Sequence, residues 1–192
     1  MADYIPELGK ANPRHFGVAL ATIDGHVYEV GDSSIEFTIQ SISKAFIFAL
    51  ALETVDQEQI EACVGVEPSG EAFNSIRLNG KNQPFNPMVN AGAIACSGLI
   101  YQQEREVAFE RILDMLSRFA GRKLSIDEQV YASESTTGDR NRAIAWLLRN
   151  YAVIKDDVDA VLDVYFRQCS VLVTARDLAV MATTLANGGL IR

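Results

Sequence analysis

Ser41 and Lys44 stand three residues apart in Ile39-Gln40-Ser41-Ile42-Ser43-Lys44-Ala45-Phe46. An apolar strand-like run turns there into an apolar helix-like one. Residues three apart on a helix share a face, so the hydroxyl and the amine can touch. A lysine beside a serine can take its proton when the lysine is neutral, and burial supplies that condition by disfavouring the ammonium. A serine in a first helical turn is also surrounded by unpaired backbone N–H groups, which suit an oxyanion. The spacing therefore suggests acyl transfer by a serine nucleophile with a lysine base. Ser-x-x-Lys alone also describes many solvated helix faces. The run 45–52 is apolar on every side and predicts a buried helix. A lysine that opens such a helix must reach water or have a reason to stay.

Few other side chains compete for the role of base. The two histidines, His15 and His26, fall in a predicted hairpin, where a solvated or cross-strand place is the plain reading. Cys63, Cys96 and Cys169 are widely spaced, without Cys-x-x-Cys. They read as buried structural thiols of a reducing compartment. No metal-ligand spacing and no Ser–His–Asp system is suggested. The 192 residues, 48% hydrophobic and 22% charged, suffice for one substantial core, whether whole or split into two lobes. A net charge of −8 speaks against a nucleic-acid or anionic-membrane surface. The longest apolar run, 45–52, is too short to span a bilayer, and Met1-Ala2-Asp3-Tyr4-Ile5-Pro6 carries no basic-then-apolar signal.

The elements that must hold the pair are strands followed by helices. The run 16–23 reads as a strand, Asp24-Gly25 as a tight hairpin turn, and 26–30 as the returning strand. A third extended run, 35–39, leads into Ser41. Segments 42–55, 89–101, 106–120, 138–152, 156–168 and 174–187 carry helical apolar spacing. Thr174 with Asp177 forms a capping-box pattern, and Asn187-Gly188-Gly189 stops the last helix. Residues 64–90 are irregular, and a loop of that length is more often functional than idle. The chain divides into N-terminal strands at 1–41, a helical region at 42–170, and a helix returning to the α/β part at 171–192. Three strands make a marginal sheet.

Longer strings give a more specific signal. They are Asp3-Tyr4-Ile5-Pro6-Glu7-Leu8, Gly65-Val66-Glu67-Pro68-Ser69-Gly70, Asn86-Pro87-Met88-Val89-Asn90-Ala91-Gly92-Ala93-Ile94, Ser133-Glu134 with Gly138-Asp139-Arg140-Asn141, and Tyr165-Phe166-Arg167-Gln168-Cys169-Ser170. In this order the chain closely resembles the serine-dependent glutaminases, from Tyr4 to Gly189. The resemblance implies an α/β plus all-α, β-lactamase-like fold. It also implies hydrolysis of L-glutamine to L-glutamate and ammonia through an acyl-enzyme, with no metal or organic cofactor. Ser41 would be the nucleophile, Lys44 its base, and Tyr4 a proton relay or a hydrogen-bond partner of Ser41. Asn90, Glu134, Asn141 and Tyr165 match substrate-binding positions, and Gln40 adjoins the nucleophile. Glu134 can pair with the substrate ammonium, and Asn90, Asn141 and Tyr165 can donate to its carboxylate.

Local sequence offers plainer roles. Tyr4 fits a core edge, Asn90 a helix N-cap, Glu134 a solvated acid, Asn141 a turn partner of Asp139 or Arg140, and Tyr165 a core aromatic. Ser43 offers a second hydroxyl but adjoins Lys44. The family fold completes its sheet with C-terminal strands. One carries a Lys-Ser/Thr-Gly-like motif beside an oxyanion donor, and a further active-site tyrosine lies beyond residue 192. No Lys-Ser-Gly, Lys-Thr-Gly or Ser-Asp-Asn occurs here, so the chain is expected to be the N-terminal portion of such an enzyme. Two alternatives stand beside glutaminase activity: a non-catalytic fragment or assembly module, and a related Ser-x-x-Lys hydrolase acting on β-lactams or acyl-peptides. A cytoplasmic location and a homo-oligomer are expected, without nucleic-acid or membrane partners.

Overall fold

The computed structural model describes residues 4–190. Asp3 of the first family-like string and the terminal Ile191-Arg192 lie outside the described residues. Strands β1 (Gly17–Ala21) and β2 (Val27–Gly31) form an antiparallel hairpin in which Val18 faces Val30 and Leu20 faces Tyr28. Its turn is wider than the expected two-residue one. Thr22 N donates to His26 O at 2.9 Å, and Gly25, at φ 92°, supplies the positive φ that closes a three-residue loop. Gly17, Ala19 and Ala21 turn inward, and the last helix, α8 (Ala175–Ala186), packs against that face. Val18, Leu20, Tyr28 and Val30 are exposed on the other face.

The third run does not join this hairpin. Only Phe37–Thr38 is strand (β3), and it pairs antiparallel with β4 (Leu172–Val173) in a second two-stranded sheet. Spacing alone did not show β4, because two residues carry no period.

The helical region is α1 (Ser43–Thr54), α2 (Gln57–Cys63), α3 (Asn90–Gln103), α4 (Ala108–Ala120), α5 (Glu128–Thr137), α6 (Asp139–Asn150) and α7 (Val158–Cys169). Helix α3 is its axis. Every residue from Asn90 to Ile100 is buried, and α1, α6 and α7 all pack against it. Ala91, Gly92, Ala93, Ala95, Ser97 and Gly98 keep that helix thin enough for three neighbours. Helix α1 is less enclosed than its all-round apolar composition predicts. Ser43, Lys44, Phe46, Ile47, Leu50 and Ala51 face inward, while Leu52 is half-exposed. Helices α2 and α5 were not expected. Helix α5 buries only Val130 and Glu134, so it lacks an apolar stripe. Asp127 starts it by accepting from the Gln129 and Val130 N–H groups. The Thr174–Asp177 capping box forms as expected.

Residues 64–89 cross the top of α3 without regular structure. Gly92 makes this approach possible, since a Cβ there would overlap the Asn86 carbonyl oxygen and crowd Pro87. Gly92→Ala is therefore predicted to lower stability by about 1–3 kcal/mol through overpacking, although alanine is the better helix former by roughly 1 kcal/mol. Urea unfolding measures this. Unchanged or increased stability would mean that segment 86–87 is free to move aside.

Candidate active site

The turn between β3 and α1 sets the geometry. Ile39 N donates to Val171 O at 2.8 Å, which fixes the end of β3. Gln40 then adopts φ 47°, and Gln40–Ile42 form a single 3₁₀ turn before α1 begins. Ser43 is wholly buried, and its Oγ donates to Gln40 O at 2.7 Å. The competing hydroxyl is thus committed to the backbone. Ser41 is exposed to a cleft, and Lys44, at 4% exposure, lies beneath it.

Lys44 Nζ donates to Asn90 Oδ1 at 2.7 Å and to Met88 O at 3.1 Å. It also lies 5.3 Å from the centroid of the Phe73 ring. Among the described residues no hydrogen bond joins it to Ser41. Burial pushes its pKa down from 10.5 to about 8, and the buried Cys169 thiol opposes that only weakly.

The cleft holds about 200 Å³ and is lined by Tyr4, Gln40, Ser41, Asn90, Glu134, Asn141 and Tyr165. All the expected site residues are thus around one space, with Lys44 just below. Asn90 is the first residue of α3 and not its cap. Its Oδ1 is taken by Lys44, and its Nδ2 donates to Asn141 Oδ1 at 3.0 Å. Asn141, in the first turn of α6, therefore keeps its own Nδ2 for a ligand. Tyr165 on α7 is 2% exposed yet lines the cleft. Burial holds its phenol far above the ordinary value. Tyr4 sits at the mouth, 60% exposed. Glu134, near the end of α5, is 6% exposed, and its Oε2 has no partner among the described residues. Burial raises its pKa to about 8, against the smaller pull of the Gln40 amide.

Sequence reasoning missed four contributors. Phe73 lines the cleft, faces the Lys44 amine, and accepts from Asn90 N through its carbonyl at 2.8 Å. Its only signal was the irregular loop. Met88 acts through its carbonyl, which no sequence pattern reveals. Cys169 lines the floor beside Tyr165 and Ser43, with its thiol pushed well up by burial. Arg140 lies exposed at the rim. Among the described residues no group of three or more His, Cys, Asp or Glu is placed to hold a metal ion.

The folded chain releases the Lys44 proton near pH 8 and the unfolded chain near the ordinary 10.5. The burial cost is therefore fully present below pH 8, and the Lys44 contribution to stability is predicted to rise with pH between about 8 and 10.5. NMR of lysine-labelled protein should show one amine titrating near pH 8, lost in Lys44→Met. In Asn90→Asp the same signal should move alkaline, because a carboxylate would replace a neutral acceptor 2.7 Å away. A Lys44 signal titrating near 10.5 would contradict the burial argument.

The model of the family described as Glutaminase matches residues 1–192. Glutaminase 2 of Bradyrhizobium diazoefficiens is 75% identical over 190 residues, covering 99% of this chain and 30% of its own length. The glutaminase of Microcystis aeruginosa is 54% identical over 190 residues, covering 98% of this chain and 56% of its own. The crystal structure of Mglu in its native form superimposes with a TM-score of 0.93 at 43% identity, covering 100% of this chain and 47% of that one. Mglu in its glutamate form gives 0.91 at 40% identity, with 100% and 45% covered. The chain thus spans between about a third and just over half the length of these relatives.

Proposed function

The chain belongs to the glutaminase family, and from that premise we propose that its cleft hydrolyses L-glutamine to L-glutamate and ammonia through a Ser41 acyl-enzyme. One observation carries the reading: residues 4, 40, 41, 90, 134, 141 and 165, remote in sequence, all line one cleft above a buried lysine amine. The small amino-acid substrate is supported by this arrangement and by the likeness to Mglu in its glutamate form.

Lys44 acts as the base. With a pKa of about 8, roughly a tenth of it is neutral at pH 7, against well under a thousandth for an ordinary lysine. A neutral amine has two N–H groups and one lone pair. Met88 O and Asn90 Oδ1 occupy the two donors, which leaves the lone pair for the Ser41 proton. As that proton moves to Nζ, Ser41 Oγ bonds to the carboxamide carbon. The C–N bond then breaks, and ammonia leaves with a proton delivered by Lys44 or relayed through Tyr4. Water attacks the resulting ester with Lys44 taking its proton, the C–Oγ bond breaks, and Lys44 returns the proton to Ser41 Oγ as L-glutamate is released. Glu134 holds the substrate ammonium, Asn141 and Tyr165 donate to its carboxylate, and Gln40 and Asn90 keep Glu134, Lys44 and Asn141 in place. A cytoplasmic location is supported by three buried free cysteines.

A second reading is favoured by the exposed hairpin face of Val18, Leu20, Tyr28 and Val30: this stretch binds glutamine, and turnover needs further polypeptide. Ammonia release from the purified chain with L-glutamine separates the two. Under the first reading Ser41→Ala lowers that release by about a thousandfold or more and Lys44→Met by about 10²–10⁴-fold. Full activity in Ser41→Ala would refute the nucleophile. No release from the unaltered chain would favour the second reading.

A further inference from the structure

Glu134 is the only acidic side chain lining the cleft among the described residues. It is almost wholly buried, and its Oε2 has no partner among those residues. The groups that face it are Tyr4 from the N-terminal segment, the neutral Gln40 amide from the 3₁₀ turn, and Tyr165 and Cys169 from α7. None is a cation. Lys44 of α1 is turned to Met88 and Asn90, and Cys169 is the ionisable group that acts on its pKa among the described residues. Arg140 of α6 is exposed at the rim. An unpaired buried carboxylate in such surroundings takes up a proton.

We propose that Glu134 is a carboxylic acid before substrate enters the cleft, and that the α-ammonium of the substrate binds by displacing its proton. This rests on the amino-acid substrate proposed above. The step balances as Glu134–COOH plus the ammonium giving the carboxylate–ammonium pair and one free proton. Binding is then an exchange of one cation for another. Three consequences follow. Acidification weakens substrate binding about tenfold per pH unit. This effect falls on KM, whereas Lys44 governs kcat. An N-acylated glutamine, which has no cation, cannot make the exchange. The cleft thereby couples substrate capture to pH through a group that touches no reacting atom.

The test uses the full chain carrying Ser41→Ala, which binds without turnover, titrated with L-glutamine by calorimetry. At about pH 6.5, in buffers of different ionisation enthalpy, close to one proton should be released per glutamine bound. Kd should weaken about tenfold per pH unit below neutrality. In Ser41→Ala with Glu134→Gln the release should vanish and Kd should become flat with pH. Glutamine binding with no proton released, or with release unchanged by Glu134→Gln, overturns the exchange and leaves the substrate reading standing. Absence of any glutamine binding overturns the substrate reading, and the exchange with it. Infrared difference spectra guard against a Glu134→Gln protein that folds poorly. Free Ser41→Ala should show a protonated-carboxyl band that disappears with glutamine, and a free protein without that band sinks the proposal.

Discussion

The Lys44 amine is a polar group in an apolar place, and much of the surrounding structure follows from satisfying it. Burying an ammonium without partners costs several kcal/mol. Here the cost is met by the Met88 carbonyl, the Asn90 side chain and the face of Phe73. All three come from the irregular segment before α3 or from the first residue of α3. The amine thus ties α1 to α3 and draws the loop over both. It also sets a polarity. An ammonium only donates, so Asn90 presents its oxygen to the charged Nζ and its nitrogen to Asn141. Asn141 then accepts with its oxygen and is left with a donor facing the cleft. The orientation of a side chain on α6 is decided by a residue on α1.

Burial acts on both ionisable groups of the site and in opposite directions. It lowers Lys44 and raises Glu134, and both arrive near pH 8. They do not neutralise each other, because Lys44 faces Asn90 and Met88 while Glu134 faces the cleft. A direct ion pair would have held the lysine charged and unfit as a base. Keeping the two apart, with the neutral Cys169 and Tyr165 between them and around them, leaves each free to change protonation near neutrality. On the proposed mechanism the two titrations have separate tasks: Lys44 manages the Ser41 proton, and Glu134 answers the charge of the ligand.

Much of this was legible because it rests on periodicity or on specific strings. The hairpin, six helices and the capping box at Thr174 follow from apolar spacing and cap chemistry. Of the seven lining residues, Ser41 came from the Ser-x-x-Lys spacing and Gln40 from adjoining it, whereas Tyr4, Asn90, Glu134, Asn141 and Tyr165 came from short strings whose meaning the family resemblance supplied. What was hidden lacks either signal. Helix α5 carries Glu134 but buries only that residue and Val130, so no stripe marks it. Strand β4 is two residues long. Phe73 reads as a loop aromatic until the fold lays it beside Lys44. Met88 contributes a carbonyl, which every residue has. Asn90 read locally as an N-cap, yet Val89 holds that position and the Asn90 amide is used laterally.

The left-handed backbone of Gln40 gives Ser41 and Lys44 their different surroundings. Ser-x-x-Lys on an uninterrupted helix would place both residues on one face and give them the same burial. The proposed chemistry asks for the opposite: a serine open to substrate above a lysine kept dry. The turn at Gln40, φ 47°, followed by one 3₁₀ turn, separates the two environments while the residues stay three apart. Such a backbone costs a non-glycine residue about 1 kcal/mol or more. Three bonds offset it: Ser43 Oγ to Gln40 O at 2.7 Å, Gln40 Nε2 to Thr38 Oγ1 at 3.1 Å, and Ile39 N to Val171 O at 2.8 Å. Glycine would remove the strain, but it would also remove the amide beside Glu134, the one neighbour that favours the ionised carboxylate. Glutamine at this strained position serves twice: its backbone leaves Ser41 exposed, and its side chain eases the ionisation of Glu134.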